Sequence, residues 1–514
     1  MASVPFKSIL FDSPDDRSSA PYTDAPAFFA DLNIDQIVDA ITADWAEYNL
    51  KPYFYVLLNR VEAIAYRHEV MRDLENATLF EHVNSFALAM HSVREHLTQA
   101  GKLYYAHQKQ AWHLDAVEIY CGALQRFAAD LSDAVLRSRG FSAFRDYLIE
   151  HVASDGFATL VAQTKQLRAK FADIRYCVLI KGDTFAVRKY EAESDYSTEV
   201  EHTFEKFKQG AVKDYRVKFS TSPEMNHIEA QILDYVDNLN PDIFSDLGEY
   251  CVRHRDFSDD TIVAFDREIH FYIAALNHIG RLKRAGLGFC YPRMSATCKE
   301  LRSSESFDLA LANKLVDANA SIVCNDFHLN GNERIIVVTG PNQGGKTTFA
   351  RTFGQLHYLA GIGLPVPGCE ATLFLSDALL THFEKEERIE SLRGKLQDDL
   401  IRARAVLDRA TPSSIVIMNE IFTSTTIQDA TFLSEGVMGK ILELDLLCVW
   451  VTFIDELASY SDKTVSMVST VVPENPTLRT FKILRKPADG MSFAMSIAEK
   501  YRLTYARVKE RIPS

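Results

Sequence analysis

Apolar positions in the first third of the chain recur at steps of three and four, which is the spacing of one face of a helix. Ile34, Val38 and Ile41 begin this pattern, and it continues with few interruptions through residues 33–173. We therefore predict long helices over this part of the chain. The preceding stretch, residues 1–30, contains four prolines among Asp and Ser and is predicted to be an extended lead-in.

The spacing changes near residue 175. The segment "YCVLIKGDTFAVRKY" holds two runs of β-branched and aromatic residues around Gly182 and Asp183, which predicts a hairpin. The later segment "DYRVKFS" alternates apolar and basic residues and predicts a half-buried strand. Helical spacing then returns and continues past Arg281. We predict a helical domain over residues 31–310 with a small β-rich insert at about 175–220.

A third pattern begins near residue 320. The runs "RIIVVTG", "SSIVIMNE" and "LLCVWVTF" are continuous apolar segments of strand length, and helical segments separate them. Strands that alternate with helices are typical of an α/β domain with a largely parallel sheet. The predicted fold class is thus a helical domain with a β insert, followed by an α/β domain at residues 320–514.

The first of these apolar runs leads into "GPNQGGKT", which has the spacing of a phosphate-binding loop. The glycines let backbone N–H groups close around phosphates, the lysine supplies a cation, and the last threonine offers a hydroxyl to Mg²⁺. A chance glycine-rich turn is the alternative, but a strand before the loop and a helix after it argue against that. The predicted cofactors are ATP and Mg²⁺, and the predicted nucleotide-binding residues are Gly340, Pro341, Asn342, Gln343, Gly344, Gly345, Lys346, Thr347 and Thr348.

The sequence of this loop, "TGPNQGGKTT", resembles the loop sequence of the MutS family of mismatch-repair ATPases, which is commonly T-G-P-N-M-G-G-K-S-T. The segments "YLAGIGLPVPG" and "IVIMNEIFTSTTIQDA" are similar to later family segments, and the resemblance covers residues 320–512. It implies an ABC-type P-loop ATPase domain, preceded by a helical lever that a clamp-like β insert interrupts. Chromosome-maintenance ATPases are a weaker match, because the segment between Thr347 and Ile415 is too short for their coiled arm.

The chain departs from the family pattern at two positions beside the nucleotide. Asn419 stands where the family has its first carboxylate, so the metal site, Thr347 and Asn419, keeps its oxygens but loses a charge. Glu420 remains where the family orients the attacking water, and it is the predicted catalytic residue. Phe453 replaces a histidine that contacts the γ-phosphate. These departures leave three possibilities open, a working ATPase, a slow switch or an inactive one, and we predict slow hydrolysis.

The resemblance also implies a homodimer formed through the ATPase domain. The segment "FTSTT" after Glu420 is expected to cross the interface, and Ser391 or Lys395 is a candidate for reaching the nucleotide of a second copy. Asp399 is a candidate for the position of the family's glutamate in the same trans-acting segment. Mismatch-detecting members of the family carry an N-terminal domain with a Phe-x-Glu wedge. The stretch before residue 31 is too short for that domain, so we do not expect mismatch reading by such a wedge.

Composition narrows the choice of partners. The net charge of −14, from 56 basic and 70 acidic residues, argues against unspecific binding of nucleic acid. DNA is a possible partner by resemblance alone, or the protein is a nucleotide-gated dimeric scaffold with little turnover and no DNA role. Eight scattered cysteines without CxxC pairs fit a cytoplasmic location, and no membrane span is expected. The candidate DNA contacts in the insert, which are alternatively its solvated face, are Arg188, Lys189, Lys206, Lys208, Lys213, Arg216 and Lys218.

Overall fold

A computed structural model of the protein describes residues 6–13, 16, 24–182, 184–192, 199, 203, 225–384, 394–472, 475–488 and 503–509. The chain forms two compact units. The helical unit comprises Met1–Phe6, Leu74–Leu136 and Phe141–Asp266. The sheet unit comprises Lys7–Asp73, Arg137–Gly140 and Arg267–Ser514.

The helices are numbered in chain order. They are α1 (Phe28–Leu32), α2 (Ile34–Thr42), α3 (Lys51–Phe54), α4 (Val61–Leu74), α5 (Ala77–Lys102), α6 (Ala106–Asp133), α7 (Arg139–Ala153), α8 (Asp155–Ala172), α9 (His227–Leu239), α10 (Pro241–Arg253), α11 (Asp260–Arg284), α12 (Leu309–Asp317), α13 (Lys346–Gly361), α14 (Lys395–Arg409), α15 (Ile427–Leu444) and α16 (Tyr505–Lys509). Among the described helices, none combines the length and the apolar character needed to cross a membrane.

The strands follow the same order. They are β1 (Tyr176–Lys181), β2 (Thr184–Lys189), β3 (Phe289–Cys290), β4 (Arg293–Ser295), β5 (Leu301–Ser306), β6 (Asn325–Leu329), β7 (Ile335–Thr339), β8 (Val366–Pro367), β9 (Glu370–Phe374), β10 (Leu379–Phe383), β11 (Ile415–Asn419), β12 (Leu447–Val451), β13 (Thr464–Val472) and β14 (Asn475–Arg485).

The helical unit is held by aromatic side chains between long helices. The rings of Phe86 and Phe127 stack at 4.5 Å where α5 packs along α6, and the rings of Phe144 and Phe265 stack at 3.5 Å. The predicted hairpin is present as antiparallel β1 and β2. Asp183 of its predicted turn and the predicted strand at 214–220 lie outside the described residues.

The sheet unit is built around six strands in the order β10-β11-β12-β7-β13-β14. All neighbours in this sheet are parallel except β14, which pairs antiparallel with β13. The three predicted apolar strands are β7, β11 and β12, and every residue in them is buried. Full burial on both faces explains their continuous apolar sequence. The predicted parallel sheet is thus confirmed.

A second, four-stranded sheet in the order β4-β9-β5-β6 belongs to the same unit. Its edge strand β6 is followed directly in the chain by β7, the strand that leads into the glycine loop. The helix α12 comes after β5 and is capped at its amino end by Asp308, whose carboxylate accepts a hydrogen bond from the Leu311 N–H (3.0 Å). These elements place parts of the second sheet beside the glycine loop.

The N-terminal helix α1 packs on α13, the helix that follows the glycine loop. Arg351 donates to the carbonyl oxygen of Asp31 (3.0 Å), and Gln355 donates to that of Leu32 (2.9 Å). Leu32 is completely buried. Residues 7–73 therefore belong to the compact unit that holds the six-stranded sheet. The division into lead-in, lever and ATPase domain stays a prediction.

Candidate functional site

The glycine loop connects the carboxyl end of β7 to the first residue of α13. Gly340 and Gly345 adopt left-handed backbone conformations, with φ values of 109° and 91°. A Cβ atom at Gly344 would lie 2.1 Å from Ser469 Oγ, which itself donates to the Gly344 carbonyl (2.7 Å). Glycine is thus required here both for backbone conformation and for the close approach of β13.

Lys346 lies inside the loop and is only 4% exposed. Its Nζ donates to the carbonyl oxygens of Gly340 (3.0 Å) and Pro341 (3.3 Å) and to Asn342 Oδ1 (3.2 Å). Burial lowers the pKa of Lys346, and the carboxylate of Glu420, with Oε1 at 3.6 Å, acts in the opposite direction. The ammonium group is therefore held mainly by neutral acceptors.

The two predicted metal residues are in direct contact. The Thr347 hydroxyl donates to Asn419 Oδ1 at 2.9 Å, and Asn419 is the buried last residue of β11. Hydroxyl and amide oxygens are suitable ligands for Mg²⁺, but neither carries a charge. No cluster of three or more His, Cys, Asp or Glu side chains in the described part of the chain is placed to hold a metal. A magnesium ion here would need its negative ligands from phosphates.

Glu420 begins a tight turn after β11. Its φ is 51°, and Phe422, two residues later, has a φ of 60°. Non-glycine residues rarely adopt this conformation. The Glu420 N–H donates to the carbonyl oxygen of Val451 (2.9 Å), and the Phe422 ring is completely buried in the core beside β11 and α15. The turn directs Glu420 toward the glycine loop.

A cavity of about 480 Å³ opens beside the loop and α13. One side is lined by predicted site residues, which are Gln343, Gly344, Gly345, Lys346, Thr347, Thr348 and Glu420. Gly340, Pro341 and Asn342 are not part of the lining and instead surround Lys346. Asn419 contacts the site through Thr347. The predicted residues therefore lie together, around one cavity.

Sequence analysis did not identify the apolar side of this cavity. The residues there come from the link between β5 and α12, from α12, from the segment before β6 and from β14, and they include Phe307, Leu311, Leu315, Ile322, Val323 and Phe481. The run "SIVCN", which leads into β6, could have indicated this apolar side, because it is apolar and β6 is followed by β7 and the glycine loop. Phe481 had no comparable signal in the sequence.

The residues predicted to act across a dimer are placed differently from one another. Ser424, in the segment expected to cross the interface, is exposed after the turn. Phe453, which replaces the family's γ-phosphate histidine and was not among these residues, is 46% exposed after β12. Asp399 is buried, with Oδ1 3.8 Å from Nε2 of His382, and burial raises its pKa. The role of Asp399 in place of the family's glutamate stays a prediction. Ser391 lies outside the described residues.

A glycine loop between a parallel strand and a helix, with a buried lysine and an adjoining cavity, is typical of proteins that bind nucleotide phosphates. Residues 336–510 match the family model of MutS domain V. This region is therefore similar to domain V of the MutS family, and the resemblance predicted from the loop sequence is confirmed.

Three relatives illustrate the extent of the similarity. The DNA mismatch repair protein MutS of Shouchella clausii is 28% identical over 206 residues, which are 38% of this chain and 24% of that protein. Endonuclease MutS2 of Thermomicrobium roseum is 30% identical over 194 residues, 37% of this chain and 24% of that protein. DNA mismatch repair protein Msh2 of Dictyostelium discoideum is 28% identical over 190 residues, which are 36% of this chain and 20% of that protein. The chain thus matches about a quarter or less of the length of these relatives.

Proposed function

We propose that this protein binds ATP with Mg²⁺ in the cavity beside the glycine loop and hydrolyses it slowly. The observation that supports this proposal is the meeting of Lys346, Thr347, Asn419 and Glu420 at the carboxyl ends of β7 and β11. Ligands of open parallel sheets bind at this edge.

The phosphates fit the loop for two reasons. The amino end of α13 presents unpaired N–H groups, and the glycines leave room for phosphate oxygens that a Cβ atom would fill. Lys346 exchanges its loop acceptors for the β and γ phosphates. The nucleoside occupies the apolar side of the cavity, whose volume is within the roughly 300–1,000 Å³ common for small-molecule sites.

Thr347 and Asn419 would hold the magnesium ion, which would supply positive charge beside the phosphates. Asn419 keeps an oxygen in the position of a carboxylate, so magnesium binds more weakly than it would beside an aspartate. Glu420 orients the attacking water and accepts its proton. Phe453 donates no hydrogen bond to the γ-phosphate. Together these features favour slow turnover and long occupancy by ATP.

The role of the rest of the chain follows from the family. We propose that ATP stabilises a cytoplasmic homodimer formed through the sheet unit. Its nucleotide state moves the helical unit on DNA, in mismatch repair or a related DNA transaction. Two of the relatives are named as DNA mismatch repair proteins. Arg188 and Lys189 are exposed on β2 and are candidate phosphate contacts, whereas the other basic residues named for the insert lie outside the described residues.

Single-turnover hydrolysis tests the proposed chemistry. Glu420→Gln should abolish hydrolysis and trap ATP, because the glutamine accepts no proton. Asn419→Asp should tighten magnesium binding and raise the rate, since one electrostatic group commonly changes such rates by about 10²-fold. A rate that Glu420→Gln leaves unchanged would exclude this assignment. So would a rate that Asn419→Asp lowers.

The DNA role is tested separately. Gel shifts with duplex, mismatched and branched DNA, each with and without ATP, should give a salt-dependent shift that responds to the nucleotide. If ATP binds and no DNA shifts under any condition, the protein is instead a nucleotide-gated dimeric scaffold.

A further inference from the structure

The side chain of Asn325 joins the edge strands of the two sheets. Asn325 is the first residue of β6, and its Nδ2 donates to the Phe481 carbonyl at 3.1 Å. Its Oδ1 accepts from the Ile483 N–H at 2.8 Å. Both partners are in β14. One amide group thus binds the backbone of β14 on either side of Lys482.

These two hydrogen bonds adjoin an unusual backbone conformation. Phe481 has a φ of 57°, which L-residues rarely adopt and which surrounding contacts must maintain. Within β14, the Lys482 N–H also donates to the Thr480 hydroxyl (3.2 Å), and the Lys482 ammonium donates to the Cys324 carbonyl beside Asn325. The position of Phe481 is therefore fixed from β6 as well as from its own strand.

Phe481 is next to the glycine loop. Its backbone lies 3.7 to 3.8 Å from the place that a Cβ atom of Gly345 would occupy. Phe481 lines the cavity and is 49% exposed, so part of this residue remains available for contact. Asn325 lines the same cavity. An aromatic ring at this place suits the flat face of a nucleotide base.

We propose that Asn325 is a positioning residue that holds the Phe481 ring where the base of the bound nucleotide stacks. This inference rests on the proposed function and deepens it, because it divides the site into two parts. Lys346 and the glycine loop set the affinity for the phosphates. Asn325, acting through Phe481, sets the affinity for the nucleoside.

Calorimetric titration with two ligands tests this division. MgATP carries a base, whereas magnesium tripolyphosphate carries phosphates alone. Asn325→Ala should weaken ATP binding about tenfold, which is the size of a lost base–aromatic stack, and leave tripolyphosphate binding unchanged. Asn325→Asp should act in the same direction, because its second carboxylate oxygen would face the Phe481 carbonyl. Asp326→Ala is the matched control. This change removes the acceptor for the Glu305 N–H within the four-stranded sheet. It should not weaken the binding of MgATP more than the binding of tripolyphosphate.

A double-mutant cycle tests whether Asn325 acts through the ring. Phe481→Ala should lower ATP affinity by a similar factor. In the Phe481→Ala background, the further change Asn325→Ala should have no effect on ATP binding. Independent losses that multiply in the double variant would overturn the proposal.

Other outcomes are equally decisive. An equal loss for both ligands in Asn325→Ala would mean that Asn325 only supports the fold, and unchanged ATP affinity would mean that it has no role at the site. Lys346→Ala is measured in parallel. It distinguishes a failure of the Asn325 proposal from a failure of the proposed nucleotide site. If Lys346→Ala leaves both ligands unaffected, the proposed nucleotide site is itself wrong.

Discussion

Two segments leave the same edge of the six-stranded sheet, the glycine loop after β7 and the turn after β11, and they are built differently. In the loop, left-handed backbone occurs at Gly340 and Gly345 and at one non-glycine residue, Gln343. In the turn, it occurs at Glu420 and Phe422. The loop thus omits side chains where the chain is tightest, whereas the turn retains them.

The difference follows from what each segment contacts. The loop must leave room for a ligand, so a missing Cβ is useful there. The turn must fix Glu420, and the buried ring of Phe422 does this by packing in the core. Burial of a phenylalanine stabilises by about 1.5–3 kcal/mol, and a left-handed conformation costs roughly 1–2 kcal/mol. At Phe422 itself, packing therefore outweighs backbone strain.

The largest effect is expected when the packing of the turn is removed. Phe422→Ala should lower the free energy of unfolding by about 3–5 kcal/mol in urea denaturation. Phe422→Gly should lower it less, because glycine accepts a φ of 60° without strain. Phe383, a buried residue within β10, is the control position. There, glycine should lower the free energy of unfolding more than alanine does. If glycine is also the worse substitution at Phe422, the turn is not strained.

The next largest effect concerns the cation of the loop. Lys346→Ala should weaken ATP binding on the order of 10- to 100-fold, because charge-assisted hydrogen bonds to phosphate are lost. The fold should be retained, as judged by circular dichroism. Lys440→Ala removes an exposed lysine on α15 and is the matched control. Unchanged ATP affinity in Lys346→Ala would place the nucleotide elsewhere.

A smaller effect is expected beyond the turn, at the proposed dimer surface. The helix α15 follows the turn and exposes Ile427 and Phe432 at 71% and 75%. In sedimentation with MgATP, the wild-type protein should form a homodimer, and Phe432→Glu should weaken it by placing a charge at the interface. Val252→Glu, at an equally exposed apolar position of the helical unit, should have no effect. A strictly monomeric wild-type protein at high concentration with saturating MgATP would refute the dimer.

The smallest effect is expected at the opposite edge of the sheet, away from both segments. Partial burial raises the pKa of Asp445, but hydrogen bonds from Lys463 (2.7 Å) and Arg334 (3.1 Å) outweigh it and lower the pKa to about 2. A lowered pKa in the folded state stabilises the protein above the ordinary carboxylate pKa of 3.8, and this stabilisation is lost as the pH falls toward 2.

Asp445→Asn should therefore be less stable than the wild type at neutral pH, and the difference should shrink in acid. Urea denaturation between about pH 5 and pH 2.5 measures this trend. Asp408→Asn, an exposed carboxylate on α14, is the control. A difference that does not change with pH would assign the role of Asp445 to packing.

The sequence identified those parts of the site that a short segment defines. The loop residues 340–348 and the pair Asn419–Glu420 are recognisable because spacing and flanking apolar runs are local features. The contact between Asn325 and Phe481 joins residues 156 positions apart and depends on the antiparallel edge strand β14, which no local pattern indicates. The left-handed Phe422 was equally hidden, because a buried ring in a tight turn resembles the continuation of a strand.

The packing of α1 on α13 has a consequence for folding during synthesis. The hydrogen bond from Arg351 to Asp31 joins residues separated by 320 positions. At roughly 5–20 residues per second, the ribosome needs roughly 16 to 64 s to make this stretch. During that time the apolar residues of α1, among them Phe29 and Leu32, have no α13 to cover them. The sheet unit cannot close until its C-terminal part has been made, so its nascent N-terminal part must rely on transient contacts or chaperones.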